Sequence, residues 1–296
     1  MFKVNYLENT WTYKKKLLVR AEKLYTAQNY QNFLEAFRKH FPSYVYFCPY
    51  RAKEVLSVPL DDIDEVYVPR ECLQRLIQSE AKDSLKDTTL ELVSLLSANS
   101  GISLKDFGVH GSVALDMHTP KSDIDLVVYG GRNFRALEAA ILKLVNNGAV
   151  EYVCGNRLDA ARRYKGKYRG RVFMYNAIRK TDETVPAYGA CRYSPIKPLK
   201  FRCIVKDDEE AMFRPATYTI EGYTPSDAHS TLTHEEMPDR AVSMVGCYRN
   251  VARQGDTIDV SGTLERVDHI ETGEVFYQVV VGTGVNEDEH VWPTRC

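Results

Sequence analysis

Residues 107–130 read FGVHGSVALDMHTPKSDIDLVVYG, and this stretch decides which fold and which chemistry we expect. Phe107 to His110 predicts a short strand, Gly111-Ser112 a turn, and Val113 to Met117 a short helix. Ile124 to Tyr129 is an apolar run of the length of a buried strand. Strands that alternate with helices in this way are typical of an α/β fold.

Two acidic residues, Asp123 and Asp125, stand two positions apart at the predicted strand. Side chains alternate across a strand, so both carboxylates point to one side while Ile124 and Leu126 point into a core. Two neighbouring anions repel each other unless a cation lies between them. A hard divalent ion with oxygen ligands removes this cost, and we expect Mg²⁺, with two ions able to clamp a phosphoryl displacement.

Gly111-Ser112 supplies a phosphate-binding turn beside these acids. Glycine lets the backbone approach a phosphate closely, and the start of a helix attracts anions through its N–H groups. Ser112 adds a hydroxyl donor. Ten residues separate Ser112 from Asp123, enough for two helical turns and a loop that leads into the adjacent strand.

A Gly-Ser turn followed after about ten residues by Ser-Asp-x-Asp in an apolar strand resembles the nucleotidyltransferase (polymerase-beta-like) superfamily, over roughly residues 85–150. The wider segment resembles an uncharacterised archaeal-type branch of nucleotidyltransferase-domain proteins. The resemblance implies that Gly111 and Ser112 hold the triphosphate of a nucleoside triphosphate and that Asp123 and Asp125 hold metal. It also implies transfer of a nucleoside monophosphate to a hydroxyl, with release of pyrophosphate.

The superfamily normally has a third carboxylate on a later strand, where it often acts as the base for the attacking hydroxyl. The next predicted strand, Arg171 to Ile178, carries Asn176 but no acid. We therefore take Asp207, after the predicted strand 201–205, as the third catalytic candidate. The further candidates are Asp208, Glu151 and Glu183. A site with only two carboxylates could bind nucleotide and metal yet turn over slowly.

A basic segment, RLDAARRYKGKYRGR at residues 157–171, carries seven cations against one anion, with tyrosines interleaved. Cations for phosphates and aromatic faces for bases suit a nucleoside triphosphate or single-stranded RNA. A solvated basic loop is the alternative. The cations that we expect to neutralise phosphate are Arg162, Arg163 and Lys167.

The chain changes in character after residue 200, where five strands are predicted at 201–205, 212–220, 241–248, 258–264 and 275–281. Short strands with a glycine inside one of them suggest a small closed β-barrel of the OB type. We therefore expect a mixed α/β region at 1–80, a nucleotidyltransferase domain with an α/β (α+β) core and a mixed sheet at 81–198, and a β-rich domain at 199–296. Residues 75–99, which cross the boundary between the first two parts, predict one helix.

The composition of the 296 residues, with 44% hydrophobic and 27% charged residues, is that of a globular protein. The net charge of −1 hides a division: residues 1–206 carry 33 Lys and Arg against 22 Asp and Glu, and residues 207–296 carry 6 against 18. The sequence contains no run of 18 apolar residues, so we expect no membrane-spanning helix. Seven scattered cysteines favour reduced thiols, and we expect a cytoplasmic location.

Three functions are compatible with these patterns. The first is a Mg²⁺-dependent nucleotidyltransferase whose hydroxyl acceptor is RNA, a protein or a small molecule, with RNA favoured by the basic segment. The second is a catalytically weak module that binds nucleotide or nucleic acid. The third is a toxin–antitoxin component of the same superfamily. An Asp-x-Asp also occurs in the DDIDE run at 61–65, which we interpret as a solvated turn.

Overall fold

The computed structural model describes residues 6–21, 27–80, 83–183 and 186–294. The helices are α1 Ala27–His40, α2 Pro69–Gln78, α3 Ser84–Ser100, α4 Gly111–Ala114, α5 Gly131–Asn146 and α6 Arg157–Arg162. The strands are β1 Tyr6–Tyr13, β2 Lys16–Ala21, β3 Val45–Cys48, β4 Lys53–Leu56, β5 Phe107–His110, β6 Ile124–Tyr129, β7 Glu151–Tyr152, β8 Lys165–Tyr168, β9 Arg171–Ile178, β10 Cys191–Asp207, β11 Ala216–Pro225, β12 Arg240–Ser243, β13 Thr257–His269, β14 Val275–Val281 and β15 His290–Pro293. Among the described residues, no helix is long and apolar enough to cross a membrane.

Contacts within the chain define two compact units. We call residues 65–80 and 83–183 the mixed-sheet unit, and residues 27–64 and 186–294 the strand-rich unit; residues of the β1–β2 hairpin are divided between them. This grouping differs from the expected three parts, because residues 27–64 associate with the C-terminal strands. The expected boundary at residue 198 also lies inside β10, which is continuous from Cys191 to Asp207.

The mixed-sheet unit contains a five-stranded sheet in the order β5-β6-β9-β8-β7. The central pair β6–β9 is parallel and the other pairs are antiparallel, so the expectation of a mixed sheet is confirmed. One face of the sheet carries fully buried side chains such as Ile124, Leu126 and Phe173. Helix α5 packs on this face, with the ring centroids of Phe134 and Tyr175 5.7 Å apart.

The prediction of a single helix at residues 75–99 is wrong, because the structure has two helices, α2 and α3. The Asp83 side chain accepts hydrogen bonds from the backbone N–H groups of Leu85 (2.9 Å) and Lys86 (3.0 Å). This is the arrangement of an N-cap, which satisfies backbone donors that a helix start leaves without partners. The apolar spacing runs through both helices and therefore concealed the break.

Helix α2 packs on the opposite face of the sheet, over one end of β5 and β6. A Cβ atom built on Gly108 would lie 2.7 Å from the carbonyl carbon of Pro69, so the start of α2 touches the β5 backbone directly. The Arg70 guanidinium lies 4.2 Å from the ring centroid of Tyr129. This end of the face is therefore covered, whereas Asp125, at the other end of β6, remains partly exposed.

The strand-rich unit contains a six-stranded sheet in the order β10-β11-β12-β14-β13-β15, in which β10 also pairs with β13. The pair β12–β14 is parallel and the others are antiparallel. Each strand from β10 to β14 thus pairs with two others of that set. Strand β10 is longer than the predicted strand 201–205, strand β15 was not predicted, and the other C-terminal strands lie near their predicted positions.

Candidate active site

The turn between β5 and α4 touches the carboxylate of Asp125. Strands β5 and β6 are antiparallel, and their register places His110 opposite Asp125. Gly111 follows with φ +65°, and a Cβ atom built there would lie 2.1 Å from Oδ2 of Asp125. The carboxylate therefore occupies the space that any side chain at position 111 would need, and glycine is required both for its backbone angle and for this contact.

The two acids of the Ser-Asp-x-Asp pattern alternate with core residues. Asp123 immediately precedes β6 and Asp125 is its second residue, and both are partly exposed. Ile124 and Leu126, between and after them, are 0% exposed. This alternation follows the strand geometry expected from the sequence, in which the acids share one side and the apolar residues share the other.

Helix α4 is shorter than the helix predicted at residues 113–117, since it has only four residues. The dipole of a helix accumulates from aligned peptide units, so one turn contributes little of it. What the turn offers an anion is the close approach of the backbone at Gly111 and the hydroxyl of the partly exposed Ser112.

Two side-chain contacts hold the loop between α4 and Asp123 to the start of α3, an ion pair and a histidine–carboxylate hydrogen bond. Lys86 Nζ lies 2.7 Å from Oδ1 of Asp116, and His118 Nε2 lies 2.7 Å from Oδ2 of Asp83. Burial by itself would raise the pKa of Asp83, but the hydrogen bonds from His118 and from the backbone of α3 lower it below its ordinary value. These contacts fix the segment that separates Ser112 from the acids.

A row of four residues crosses the sheet at the level of Asp125. Reading from β5 to β8, His110 lies opposite Asp125, Asp125 opposite Met174, and Met174 opposite Lys165. Side chains of directly paired residues point to the same face. Met174 therefore occupies the position on β9 that faces Asp125, and its neighbours on this face of β9, Val172 and Asn176, are not acidic either.

Two of the acids considered as a third carboxylate belong to the mixed-sheet unit. Glu151 is exposed in β7, where it pairs with Lys167. Glu183 accepts hydrogen bonds from the backbone N–H of Gly131 at 2.7 Å and of Lys180 at 2.8 Å, so it caps the start of α5. Neither contact involves Asp125.

The other two, Asp207 and Asp208, belong to the strand-rich unit and bind neighbouring residues there. Asp207 accepts a hydrogen bond from the backbone of Glu209 at 2.9 Å, and Asp208 lies 3.3 Å from Arg253. In the part of the chain that the structure describes, no three or more His, Cys, Asp or Glu residues form a group that could hold a metal ion.

The sequence did not single out Lys165, although the register brings it to the face that carries Asp125. Its ammonium lies 2.9 Å from Oδ1 of the buried Asp159. Burial lowers the pKa of Lys165, but the hydrogen bonds to Asp159 and Tyr164 outweigh it and raise this pKa. The alternation of Lys165 and Lys167 about Gly166 was the available signal, because it predicts a strand with both lysines on one face.

The three cations that we expected to bind phosphate differ in exposure. Arg162 is only 6% exposed, and its guanidinium lies 3.6 Å from the ring centroid of Tyr164. Arg163 and Lys167 are exposed. The buried rings of Phe173 and Tyr175, next along the sequence, belong to the core and cannot stack on a base.

Two comparisons with known proteins bear on the function of this site. Residues 91–168 match the family model of the nucleotidyltransferase domain. The resemblance inferred from the Gly-Ser turn and the acid pair is thereby confirmed. The matched residues include α4, β6 and most of the basic segment, and the match supports a transferase.

The chain is also similar to an uncharacterized protein of Methanocaldococcus jannaschii, with 26% identity over 212 residues. The alignment covers 64% of this chain and 59% of that protein, so the chain spans less than two thirds of the relative's length. No solved structure matches the chain.

Proposed function

We propose that the chain transfers a nucleoside monophosphate from a nucleoside triphosphate to a hydroxyl acceptor, in a reaction that depends on Mg²⁺. The contact between Gly111 and the Asp125 carboxylate is the observation that carries this proposal. It joins a turn that can receive phosphate to an acid that can bind a metal ion. An isolated acidic pair on a surface lacks such a turn.

In this proposal Asp123 and Asp125 hold the metal. Both are carboxylates, the hard oxygen donors that Mg²⁺ prefers, and their partial exposure leaves room for phosphate oxygens as further ligands. The bound ion would neutralise charge on the triphosphate and on the departing pyrophosphate. Gly111 and Ser112 grip the β- and γ-phosphates, while the exposed Arg163 and Lys167 contribute positive charge near the sheet.

The catalytically weak binding module remains the second candidate, and one observation favours it. Met174, and not an acid, lies opposite Asp125 on β9, so that position supplies no base for the acceptor hydroxyl. Asp207 stays a prediction as the third catalytic residue. If no acid takes that role, the site would hold nucleotide and metal but deprotonate the acceptor poorly.

Two further elements belong to the proposal. The strands β10 to β14 are proposed to close into an OB-like barrel, supported by the circular pairing β10-β11-β12-β14-β13-β10. RNA is the proposed acceptor, supported by the exposed cations of residues 157–171. The cytoplasmic location and the toxin–antitoxin alternative stay predictions.

The test is label transfer from each of the four α-labelled nucleoside triphosphates, with Mg²⁺, to total RNA and to protein. The double variant Asp123→Asn/Asp125→Asn should abolish transfer. The chain offers a matched control, because the same tripeptide Asp-Ile-Asp occurs at residues 62–64 in an exposed turn. Asp62→Asn/Asp64→Asn should leave transfer unchanged.

The outcomes separate the candidates. Transfer that disappears only in the strand variant supports the enzyme. Metal-dependent nucleotide binding without transfer to any acceptor supports the weak module. Transfer that survives Asp123→Asn/Asp125→Asn contradicts the assignment of the site.

A further inference from the structure

The strand-rich unit contains a cavity that the proposed transfer reaction does not use. Its volume is about 730 Å³, and it is lined by α1, by β4 and by the segments that follow β12 and β14. Sites for small ligands typically measure about 300–1,000 Å³ and combine an apolar wall with a few polar groups. The cavity lies wholly within one unit of the chain, so its walls do not depend on the mixed-sheet unit.

One wall of the cavity is aromatic. Helix α1 contributes Phe33 and Phe37, one turn apart, with ring centroids 6.4 Å apart. Tyr248 adds a third ring, and this ring is held by a T-shaped contact with Trp292 at 5.5 Å. Aromatic faces of this kind stack on planar rings such as nucleic-acid bases.

Three cations line the cavity, namely Arg51, Lys53 and Arg214, and the Arg51 guanidinium lies 4.3 Å from the ring centroid of Tyr193. Neither the Lys53 ammonium nor the Arg214 guanidinium forms an ion pair or a hydrogen bond with a residue that the structure describes. Lys53 is half-buried, and burial lowers its pKa despite the negative charges of Glu265 and Glu289. A half-buried ammonium without a bonded partner is stabilised by an anion, since burial penalises an unpaired charge.

The acidic residues that line the cavity do not supply this anion. The carboxylate of Glu289 accepts hydrogen bonds from the backbone N–H groups of Gly282 and Thr283, both at 2.7 Å. Its negative charge thus holds the loop after β14 in place. Glu287, the other acid of the lining, is exposed to solvent.

We propose that this cavity binds a nucleotide, with the base against the rings of Phe33, Phe37 and Tyr248 and the phosphate at Lys53 and Arg214. A planar ring that carries a phosphate can contact both the aromatic rings and the cations. Inorganic phosphate contacts only the cations, and a nucleoside contacts only the rings. The ligand is either a free mononucleotide or the terminal nucleotide of an RNA strand, which share this chemistry. Gly111, Asp123 and Asp125 do not line this cavity, and nucleotide binding there does not require the transfer reaction.

The test is isothermal titration of the full chain in EDTA, so that no divalent ion assists binding at the acid pair. The probes are the four nucleoside monophosphates, a short oligoribonucleotide with a 5′ phosphate, ribose 5-phosphate and adenosine. We expect a mononucleotide or the oligonucleotide to bind at least about tenfold more tightly than ribose 5-phosphate or adenosine, because each fragment lacks one set of contacts.

Variants assign the binding to the cavity. Lys53→Gln and Arg214→Gln should each weaken it by about tenfold or more, the effect of losing a charge-assisted hydrogen bond. Lys206→Gln is the matched control, since Lys206 is an exposed lysine of the same unit outside the cavity. Thermal unfolding of each variant shows whether the unit is still folded. Asp125→Asn should leave this EDTA-resistant binding unchanged, which separates this site from the proposed transferase site.

Binding of mononucleotides identifies the free nucleotide as the ligand, and binding of the oligonucleotide alone identifies an RNA end; both outcomes support the proposal. Three outcomes overturn it. One is that no nucleotide or oligonucleotide binds. Another is that binding withstands both Lys53→Gln and Arg214→Gln. The third is that binding disappears in Asp125→Asn.

Discussion

Replacing Gly111 by alanine tests whether the contact between the turn and the Asp125 carboxylate organises the candidate site. The substitution adds a single Cβ atom and changes no charge. That atom would lie 2.1 Å from Oδ2 and 3.0 Å from Cγ of Asp125. Alanine must also adopt φ +65°, a left-handed conformation that side chains disfavour.

Two effects of different size follow. The left-handed backbone costs an alanine about 1–2 kcal/mol, which lowers the melting temperature by about 2–8 °C. The carboxylate must in addition retreat by about 1.3 Å to restore an ordinary contact of 3.4 Å. A displacement of about 1 Å at a reacting centre can reduce the rate by about 100-fold. We therefore expect Gly111→Ala to lose about two orders of magnitude in kcat/KM.

Gly101→Ala is the matched control, because its alanine must also adopt a left-handed backbone conformation but its methyl group does not clash with another atom. Gly101 ends α3 with φ +73°, and nothing lies within 4 Å of a Cβ atom built there. Its variant should lose similar stability and retain metal binding and transfer.

The assays are Mn²⁺ binding by electron paramagnetic resonance with a nucleoside triphosphate present, label transfer, and thermal unfolding. Gly111→Ala should weaken Mn²⁺ binding and transfer by far more than Gly101→Ala does, at a comparable loss of stability. The reasoning is refuted if Gly111→Ala binds Mn²⁺ and transfers label like the wild type, or if both variants lose these properties equally.

Three further substitutions probe the surroundings of the site. Gly108→Ala should lower the free energy of unfolding by about 1–3 kcal/mol, because the new methyl group would lie 2.8 Å from Cβ of Pro69; urea unfolding measures this loss. Met174→Asp adds a carboxylate opposite Asp125 and should tighten Mn²⁺ binding relative to Met174→Asn, and equal affinities would show that position 174 does not reach the metal. Asp83 has a lowered pKa in the folded chain, so its contribution to stability is present above its unfolded pKa and is lost as the pH falls through the folded value. Asp83→Asn keeps the cap and should reduce the loss of stability that acid unfolding experiments measure as the pH falls below about 3.9, the ordinary pKa of an aspartate.

The strands that build the candidate site could be predicted from the sequence. β5, β6 and β9 begin and end at the predicted residues. Apolar runs bounded by glycine or charge define these limits, and the spacing of Asp123 and Asp125 follows from strand geometry alone. The contact of Gly111 with Asp125 is a consequence of the same short segment folding back on itself.

Strand β10 could not be predicted in full, because Pro195 and Pro198 resemble a linker. Proline lacks the N–H that a sheet ladder uses, so it usually marks the end of a strand. Here both prolines pair with β13, and the register shifts between Pro195 and Lys197. This irregularity accommodates a sequence that would otherwise interrupt the sheet.

The residue opposite Asp125 was also beyond sequence reasoning, because it depends on the register of two strands far apart in the chain. The sequence shows which residues are acidic, whereas the sheet determines which residue lies opposite Asp125. The pairing of Asp125 with Met174 and of Met174 with Lys165 follows only from the observed hydrogen-bond register of the strands.

The row of paired residues that crosses the sheet at Asp125 also limits how much positive charge the candidate site offers a triphosphate. Lys165 shares the face with Asp125, but Asp159 already pairs with its ammonium at 2.9 Å, and Arg162 is buried over an aromatic ring. The seven cations of residues 157–171 therefore overstate the local attraction for phosphate. Without a cation, the carboxylates of Asp123 and Asp125 repel the same phosphates that the turn would receive. Nucleotide affinity in the mixed-sheet unit should consequently depend on a divalent ion far more steeply than the basic sequence suggests.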